Sequence, residues 1–249
     1  MKIITIIQAR MSSNRLPGKV LMEIDNKTIL GYVIDSALKS TVSSEVVVAT
    51  SLDESDDPIE IFCSKNNYNC FRGSLNNVLD RYLNAARKYE ADIVIRLTAD
   101  CPLVSYFTID EVTNHLIINS LDYASNTTPP ETSIYPDGSD VEVFTMKALI
   151  RAHESEDINK NNEHVTFQFW KSSFYKIDQI KNLKKNYSSY RYTLDYHEDF
   201  TVISFLINKL KLLNNLNYKI EDIITLLDNF KEIRDLNKKY FFGIGWKNN

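Results

Sequence analysis

An α/β fold with a mostly parallel sheet flanked by helices is predicted by three observations. Apolar β-like runs alternate with helical patterns through the first half of the chain, as βαβ units require. The first run, Ile3 to Ile7, is an apolar run that reads as a buried first strand. A polar, turn-forming loop with Arg10, Arg15, Gly18 and Lys19 follows it at once, at the strand edge where open α/β sheets bind ligands.

The elements follow in order. Thr28 to Lys39 has apolar residues at helical spacing, with Thr28 as N-cap. Glu45 to Thr50, with Val46-Val47-Val48, is a second buried strand. Asp56-Asp57-Pro58 opens a helix with acidic residues and an early proline, both favoured in a first turn. Tyr68 to Phe71 is a short strand, and Ser74 caps a long helix over Leu75 to Tyr89. Asp92 to Leu97 is another β-rich run, ending in Thr98-Ala99-Asp100-Cys101-Pro102. Asn126 to Asp140, dense in Pro, Ser, Thr and Asp, is a long loop of the kind that forms a lid or binding loop. Val141 to Phe144 is a strand and Met146 to Glu154 a helix; Phe174 to Ile180 and Tyr190 to Leu194 are later strands. Helices are expected over His197 to Leu212 and Ile220 to Phe230, and Lys181 to Asn186 is a surface turn. The aromatic tail from Tyr240 to Trp246 either packs on the surface or forms an interface.

The 249 residues, 43% hydrophobic and 25% charged, suit one large domain or two small ones. The expectation is a single domain over 1–249, with the long loop near 126–140 and a helical segment near 197–249. A net charge of −4 carries no nucleic-acid footprint, so the basic loop is a local exception that favours a small anionic ligand. Cys63, Cys70 and Cys101 are odd in number and lack metal spacing, as free thiols in a reducing compartment do. No apolar run approaches the ~20 residues of a membrane span. A soluble cytoplasmic protein with no membrane partner is expected.

Three cations in a loop whose backbone N–H groups can also reach phosphate oxygens form a site for a polyanion. The order A-R-x-x-S-x-R-L-P-G-K is neither the P-loop pattern nor the dinucleotide fingerprint. Asp100 falls at the end of another strand, on the same edge, where a carboxylate beside phosphates suggests a Mg²⁺ ligand. Its alternative reading is a turn residue. Asp195, after Tyr192-Thr193-Leu194, is a second candidate whose alternative reading is an N-cap.

Several ordered motifs add a resemblance. They are Gln8-Ala9-Arg10 through Lys19, Phe71-Arg72-Gly73-Ser74, Asp80-Arg81-Tyr82, Arg96 through Leu103, Tyr135 through Phe144, Glu163-His164-Val165-Thr166 and Leu194 through Phe200. Over roughly residues 3 to 205 the chain resembles cytidylyltransferases of the spore coat polysaccharide biosynthesis protein F type, relatives of the CMP-sialic acid and CMP-Kdo synthetases. The resemblance implies a Rossmann-like fold of the nucleotide-diphospho-sugar transferase type. It also implies a Mg²⁺-dependent transfer of CMP from CTP to a small anionic acceptor, an acid sugar or a phosphorylated or phosphonate metabolite.

Residue by residue, the resemblance makes Lys19, Arg15 and Asp100 catalytic. Arg10, Arg15 and Lys19 would hold the CTP phosphates, with the Ala9 and Arg10 backbone near the base. Arg72, Asp80 and Arg81 would border the nucleoside. Asp100 and Asp195 match the two metal-binding aspartates. Tyr135, Asp137, Asp140, Glu142 and His164 would lie toward the acceptor. Ala99 replaces a glycine of the metal motif, Gln8 stands where Kdo-type enzymes usually carry proline, and Ser13-Asn14 replaces their Gly/Ser-Thr pair. None of these changes removes a charge. A homodimer is expected by analogy.

His164 has the residue type of a general base, but a metal-activated acceptor needs none, so acceptor contact or structural hydrogen bonding is its other reading. His197 stands beside Asp195, while His115 and His153 read as structural. Two rival functions remain open: a nucleotide-sugar-dependent glycosyltransferase of similar fold, and a non-catalytic nucleotide-binding subunit. The chain lacks the Asp-x-Asp pair of many metal-dependent glycosyltransferases, and retention of both aspartates and all three loop cations argues against the second.

Overall fold

The structure, a computed structural model, describes residues 1–155 and 165–240. Strand β1 (Ile3–Gln8) is followed by the basic loop and a small antiparallel hairpin, β2 (Glu23–Ile24) and β3 (Lys27–Thr28). Asp25 and Asn26 turn that hairpin at φ 50° and 60°, the left-handed region these residue types tolerate. Helix α1 (Ile29–Lys39) starts as predicted, the Thr28 hydroxyl accepting the Gly31 N–H at 3.0 Å. Strand β4 (Glu45–Ser51), α2 (Asp57–Lys65), β5 (Asn69–Gly73), α3 (Val78–Lys88), β6 (Ile93–Thr98) and α4 (Tyr106–Asn119) continue the alternation. The later part has β7 (Tyr123–Ser125), β8 (Glu142–Thr145), α5 (Met146–Glu154), α6 (Phe167–Lys171), β9 (Ile177–Gln179), α7 (His197–Leu212), α8 (Ile220–Asn229) and α9 (Lys231–Arg234).

Among the described residues the main sheet has the order β5-β4-β1-β6-β8-β7-β9, and β8 alone runs antiparallel to its neighbours. The predicted α/β class, Rossmann-like and mostly parallel, is the observed one. The strand order grows outward from β1 to β5 in one direction and resumes with β6 on the other side of β1. That reversal opens a crevice between β1 and β6 at their carboxyl ends.

Packing follows the period of two along β1. Ile3 and Ile7 join the core layer of α1, α2 and α4, with Leu30, Val33, Ile59 and Val112. Ile4 and Ile6 join the opposite layer of α3 and α5, with Leu79, Leu83 and Leu149. Each such isoleucine, fully buried, contributes roughly 1.5–3 kcal/mol. A third cluster joins Leu16 of the basic loop and Leu103 to Tyr192, Leu194, Ile203 and Leu206, so the segment before α7 packs against the first loop. No described helix is long and apolar enough to cross a membrane.

Several elements differ from expectation. Helix α3 begins at Val78, because the Ser74 hydroxyl only turns the chain, accepting the Asn77 N–H at 3.0 Å; Asn77 is the cap, accepting the Asp80 N–H at 2.9 Å. Tyr190 to Leu194 is extended but not part of the sheet. Its backbone bonds loops instead, the Tyr192 N–H reaching the Asp137 carbonyl and the Leu194 N–H the Asp100 carbonyl, both at 2.8 Å. The loop Asn126 to Asp140 is packed rather than lid-like. Asn126 is fully buried, donating to the Ser139 carbonyl at 2.7 Å and accepting the Val141 N–H at 2.8 Å. Strand β7 has only three residues, too few for a period to show.

Candidate active site

The site lies at the crevice where the strand order reverses. The loop after β1 doubles back through Gly18, at φ 72° and with its N–H donating to the Met11 carbonyl at 3.0 Å; that left-handed turn delivers Lys19 inward. Lys19 Nζ donates to Asp100 Oδ2 at 2.6 Å, to Asp195 Oδ1 at 2.9 Å and to the Leu194 carbonyl at 2.7 Å. Arg15 Nη2 donates to the same Asp195 Oδ1 at 2.6 Å. Lys19, Arg15, Asp100 and Asp195 therefore converge as expected, although Asp100 and Asp195 are 95 residues apart in the sequence. Asp195 is not the N-cap: Tyr196 holds that position, and Asp199, in the first turn of the helix, reaches back to accept the Asp195 and Tyr196 N–H groups at 2.9 Å each.

Burial and charge oppose each other here, and charge wins. Burial would raise the Asp195 carboxyl, but Lys19 and Arg15 hold it well below the usual carboxylate range. Burial likewise opposes ionisation of Asp100, and Lys19 outweighs it, lowering that carboxyl too. Lys19 is raised because the two carboxylates outweigh its own burial. All three groups thus stay charged near neutral pH.

Arg191, which the sequence reading did not single out, supports Asp195 from behind. It is buried, donates from Nη2 to Asp195 Oδ2 at 3.1 Å and to Asp199 Oδ2 at 3.0 Å, and pairs through Nη1 with Asp137. The signal for it was an arginine inside the apolar run Tyr190 to Leu194. Asp56 was read only as a helix opener. It instead turns back to the loop, accepting the Met11 N–H at 2.7 Å and the Ser51 N–H at 3.2 Å. Nothing in the sequence pattern signalled that contact.

The other expected site residues divide. Arg10 is exposed on the loop. Arg81 is 1% exposed, its Nε and Nη1 make no hydrogen bond within the protein, and burial, with the nearby Arg10 charge, lowers its pKa against the opposing influence of Tyr82 and Asp56. Ala9 is buried and its N–H is spent on the Ala49 carbonyl at 3.1 Å, so that donor does not face a base. Arg72 ties β5 to α2, with Asp57 and Glu60 both at 2.7 Å and the Ser51 carbonyl at 2.8 Å, rather than turning to the loop. Asp80 takes His153 at 3.2 Å and Asn84 at 2.9 Å.

On the acceptor side, Asp140 is partly buried, accepts the Gly138 N–H at 2.9 Å, and is raised by burial. Asp137 is engaged by Arg191. Glu142 faces Arg96 and the Tyr123 hydroxyl, the latter at 2.9 Å, because its strand position points it at β6 and β7. Tyr135 is fully buried in the core layer of α1 and α4, so its ring cannot meet a ligand. His164 lies outside the described residues. His197 is exposed, and His115 bonds Asp178 at 2.8 Å, as a structural histidine would.

The donor set suits a divalent cation of the Mg²⁺ type. Asp100 and Asp195 both reach one ammonium nitrogen, so one cation can bridge them, and both are ionised. Among the described residues no cluster of three or more His, Cys, Asp or Glu side chains converges on a metal position. Two carboxylates leave the remaining positions to phosphate oxygens and water, the coordination Mg²⁺ favours.

Known proteins resemble the chain in sequence and in fold. The chain is 32% identical over 216 residues to the spore coat polysaccharide biosynthesis protein SpsF of Bacillus subtilis, covering 83% of this chain and 87% of that one. It is 32% identical over 120 residues to the 3-deoxy-manno-octulosonate cytidylyltransferase of Geobacter metallireducens, 48% of this chain and 46% of that one. A solved cytidylyltransferase from Leptospira borgpetersenii superposes with a TM-score of 0.85 at 30% identity, covering 94% of this chain and 97% of that one. A sequence model of the family described as cytidylyltransferase matches residues 4–242, and the chain belongs to that family.

Proposed function

We propose that this protein transfers CMP from CTP to a small anionic acceptor, with release of pyrophosphate, in making a precursor of a surface polysaccharide or glycoconjugate. The observation that carries the reading is the Lys19 ammonium held 2.6 Å from Asp100 and 2.9 Å from Asp195 at the sheet's switch point. A cation and two ionised carboxylates at that place suit a triphosphate together with Mg²⁺. Relatives named for polysaccharide biosynthesis and for 3-deoxy-manno-octulosonate support an acid sugar as acceptor. A phosphorylated or phosphonate acid belongs to the same chemical class. The proposal includes a single cytoplasmic domain over 1–249 that assembles as a homodimer.

In the reaction an acceptor oxygen attacks the α-phosphorus of CTP. The bond from that phosphorus to the bridging oxygen breaks, and pyrophosphate leaves with the electron pair. Little covalent work falls to the protein; positioning and charge dominate. The three N–H bonds of Lys19 are all engaged, so a phosphate must take the place of one partner. Asp100 is the partner open to exchange, its side chain 27% exposed against 12% for Asp195. Arg15 spends Nη2 on Asp195 and presents the rest of its planar fork to the departing pyrophosphate. The partnerless donors of Arg81, near Arg10, suit an acceptor group of the nucleoside. Asp100 and Asp195 would hold Mg²⁺, which when bound supplies charge neutralisation on the phosphate oxygens.

A pyrophosphate-release screen with Mg²⁺ tests the reading, running four nucleotides against acid sugars and phosphorylated small acids. The expected result is release from CTP with one anionic acceptor class. Transfer from a nucleotide-sugar and none from CTP would make the protein a glycosyltransferase. CTP binding without turnover across the panel would make it a binding subunit.

A further inference from the structure

The last described residue, Tyr240, closes a ring of side chains around Asp195. Its ring stacks on Tyr196 with centroids 3.7 Å apart and planes 4° apart. The Arg15 guanidinium lies over Tyr196 at 5.5 Å, and the Arg191 guanidinium over Tyr240 at 6.0 Å. These same arginines take the two oxygens of Asp195, Arg15 on Oδ1 at 2.6 Å and Arg191 on Oδ2 at 3.1 Å. Asp195, Arg15, Tyr196, Tyr240 and Arg191 thus form one closed circuit.

The segment that carries Tyr240 is pinned to the start of α7. Asn237, buried, donates to Asp199 Oδ1 at 2.8 Å and to the Arg191 carbonyl at 3.3 Å. Lys239 pairs with Glu198 at 2.7 Å, and the Tyr240 hydroxyl donates to Glu198 Oε2 at 3.2 Å. Together these contacts fix the segment whose Tyr240 ring stacks on Tyr196.

We infer that Tyr240 is a positioning residue: it holds Tyr196, and through it the Arg15 guanidinium, in the plane needed to meet the nucleotide's phosphates. Arg15 sits on a loop with its side chain 39% exposed, and a long side chain loses rotamer freedom when it binds. Stacking on an aromatic face orders the guanidinium before the ligand arrives, which strengthens binding by preorganisation. The inference rests on the proposed contact between Arg15 and the CTP phosphates.

Titration calorimetry of CTP binding, with thermal melting alongside, separates the two claims. Arg15→Ala and Tyr240→Leu are each expected to weaken CTP binding about tenfold. Tyr240→Phe, which keeps the ring and loses only the hydroxyl bond to Glu198, restores binding to near the wild-type value. The double variant binds no more weakly than Arg15→Ala alone, because Tyr240 acts through Arg15. Should Tyr240→Leu fail to fold, Tyr240→Met keeps the bulk without a ring and serves in its place. Wild-type binding by the ringless variant, or a loss that adds in full to that of Arg15→Ala, overturns the inference and leaves the role of Arg15 standing. Wild-type binding by Arg15→Ala overturns both.

Discussion

The loop after β1 and the segment Asn126–Asp140 are both polar, proline-containing and irregular, yet the protein uses them in opposite ways. The first sends its charges across the fold. Lys19 reaches Asp100 and Asp195, 81 and 176 residues away, while Arg10 remains exposed. The second is packed into the fold: Asn126 bonds Ser139 and Val141, the Ser133 hydroxyl accepts the Tyr135 N–H, Asn126, Thr127 and Ser139 are buried, and Asp137 is taken up by Arg191. Composition does not separate the two. Exposure of the charged groups does: Arg10 and Arg15 keep cationic surface open to a ligand, whereas Asp137 is buried against Arg191. The packed segment is instead the scaffold against which Tyr190 to Asp195 is held.

The contrast can be broken from either side. The largest effect is expected for Lys19→Met, which removes the ammonium shared by two carboxylates. Its cost in stability is about 3 kcal/mol, read by urea unfolding, and CTP affinity falls by at least about 10²-fold. Gly138→Ala comes next. Gly138 has φ 105°, and a Cβ there would lie 2.5 Å from the Thr193 backbone nitrogen. Pushing the scaffold off that backbone is expected to cost about 2 kcal/mol and to lower turnover by displacing Asp195, without changing any charge. Turnover at the wild-type level in a folded Gly138→Ala protein would mean that the segment does not set the position of Asp195. Arg15→Lys keeps the charge and loses the planar fork. It is expected to raise the KM for CTP about tenfold, with kcat less affected.

The smallest effect is on pH. Asp195 and Asp100 are depressed in the folded protein, so their contribution is present above the unfolded carboxyl value of ~4 and lost as pH falls through the folded values. Lys19 is raised, so its contribution is present below the unfolded lysine value of ~10.4 and lost as pH rises through the higher folded value. Tm is therefore expected to be flat between about pH 5 and 9 as far as this cluster is concerned. Lys19→Met should lower the plateau and flatten both limbs, because the shifts that produce them are gone; an acid limb of unchanged steepness would detach the carboxylates from it.

Local physics made much of this legible in the sequence. The Ile3 to Ile7 run, the Thr28 cap and the Met146 to Glu154 helix follow from periodicity and capping, and the structure has them. Arg15, Lys19 and Asp100 were legible because strand ends mark the ligand edge of an α/β sheet, whereas Asp195 follows an extended run that the sheet does not include. Arg191 was not, since its worth depends on Asp137, Asp195 and Asp199 arriving from separate segments. Tyr135, Glu142 and Arg72 are turned to the interior or to neighbouring elements, for one shared reason. A motif shows that a residue type is present, but whether it faces the crevice or the interior is decided by tertiary contacts. Ser74 failed as a cap for a smaller reason: Asn77, three residues on, sits where the helix actually begins.

Lys19, Asp100 and Asp195 are proposed as the working charge centre for CTP. Its most direct test is CTP-dependent pyrophosphate release by the wild type, Asp100→Asn and Asp195→Asn, each checked for folding by thermal melting. Both substitutions preserve shape and hydrogen-bonding capacity while removing one negative charge. The expected result is a loss of turnover of about 10²-fold or more in each, with the cooperative melt retained. Near-normal release by either folded variant would contradict the claim for that residue and remove it from the site.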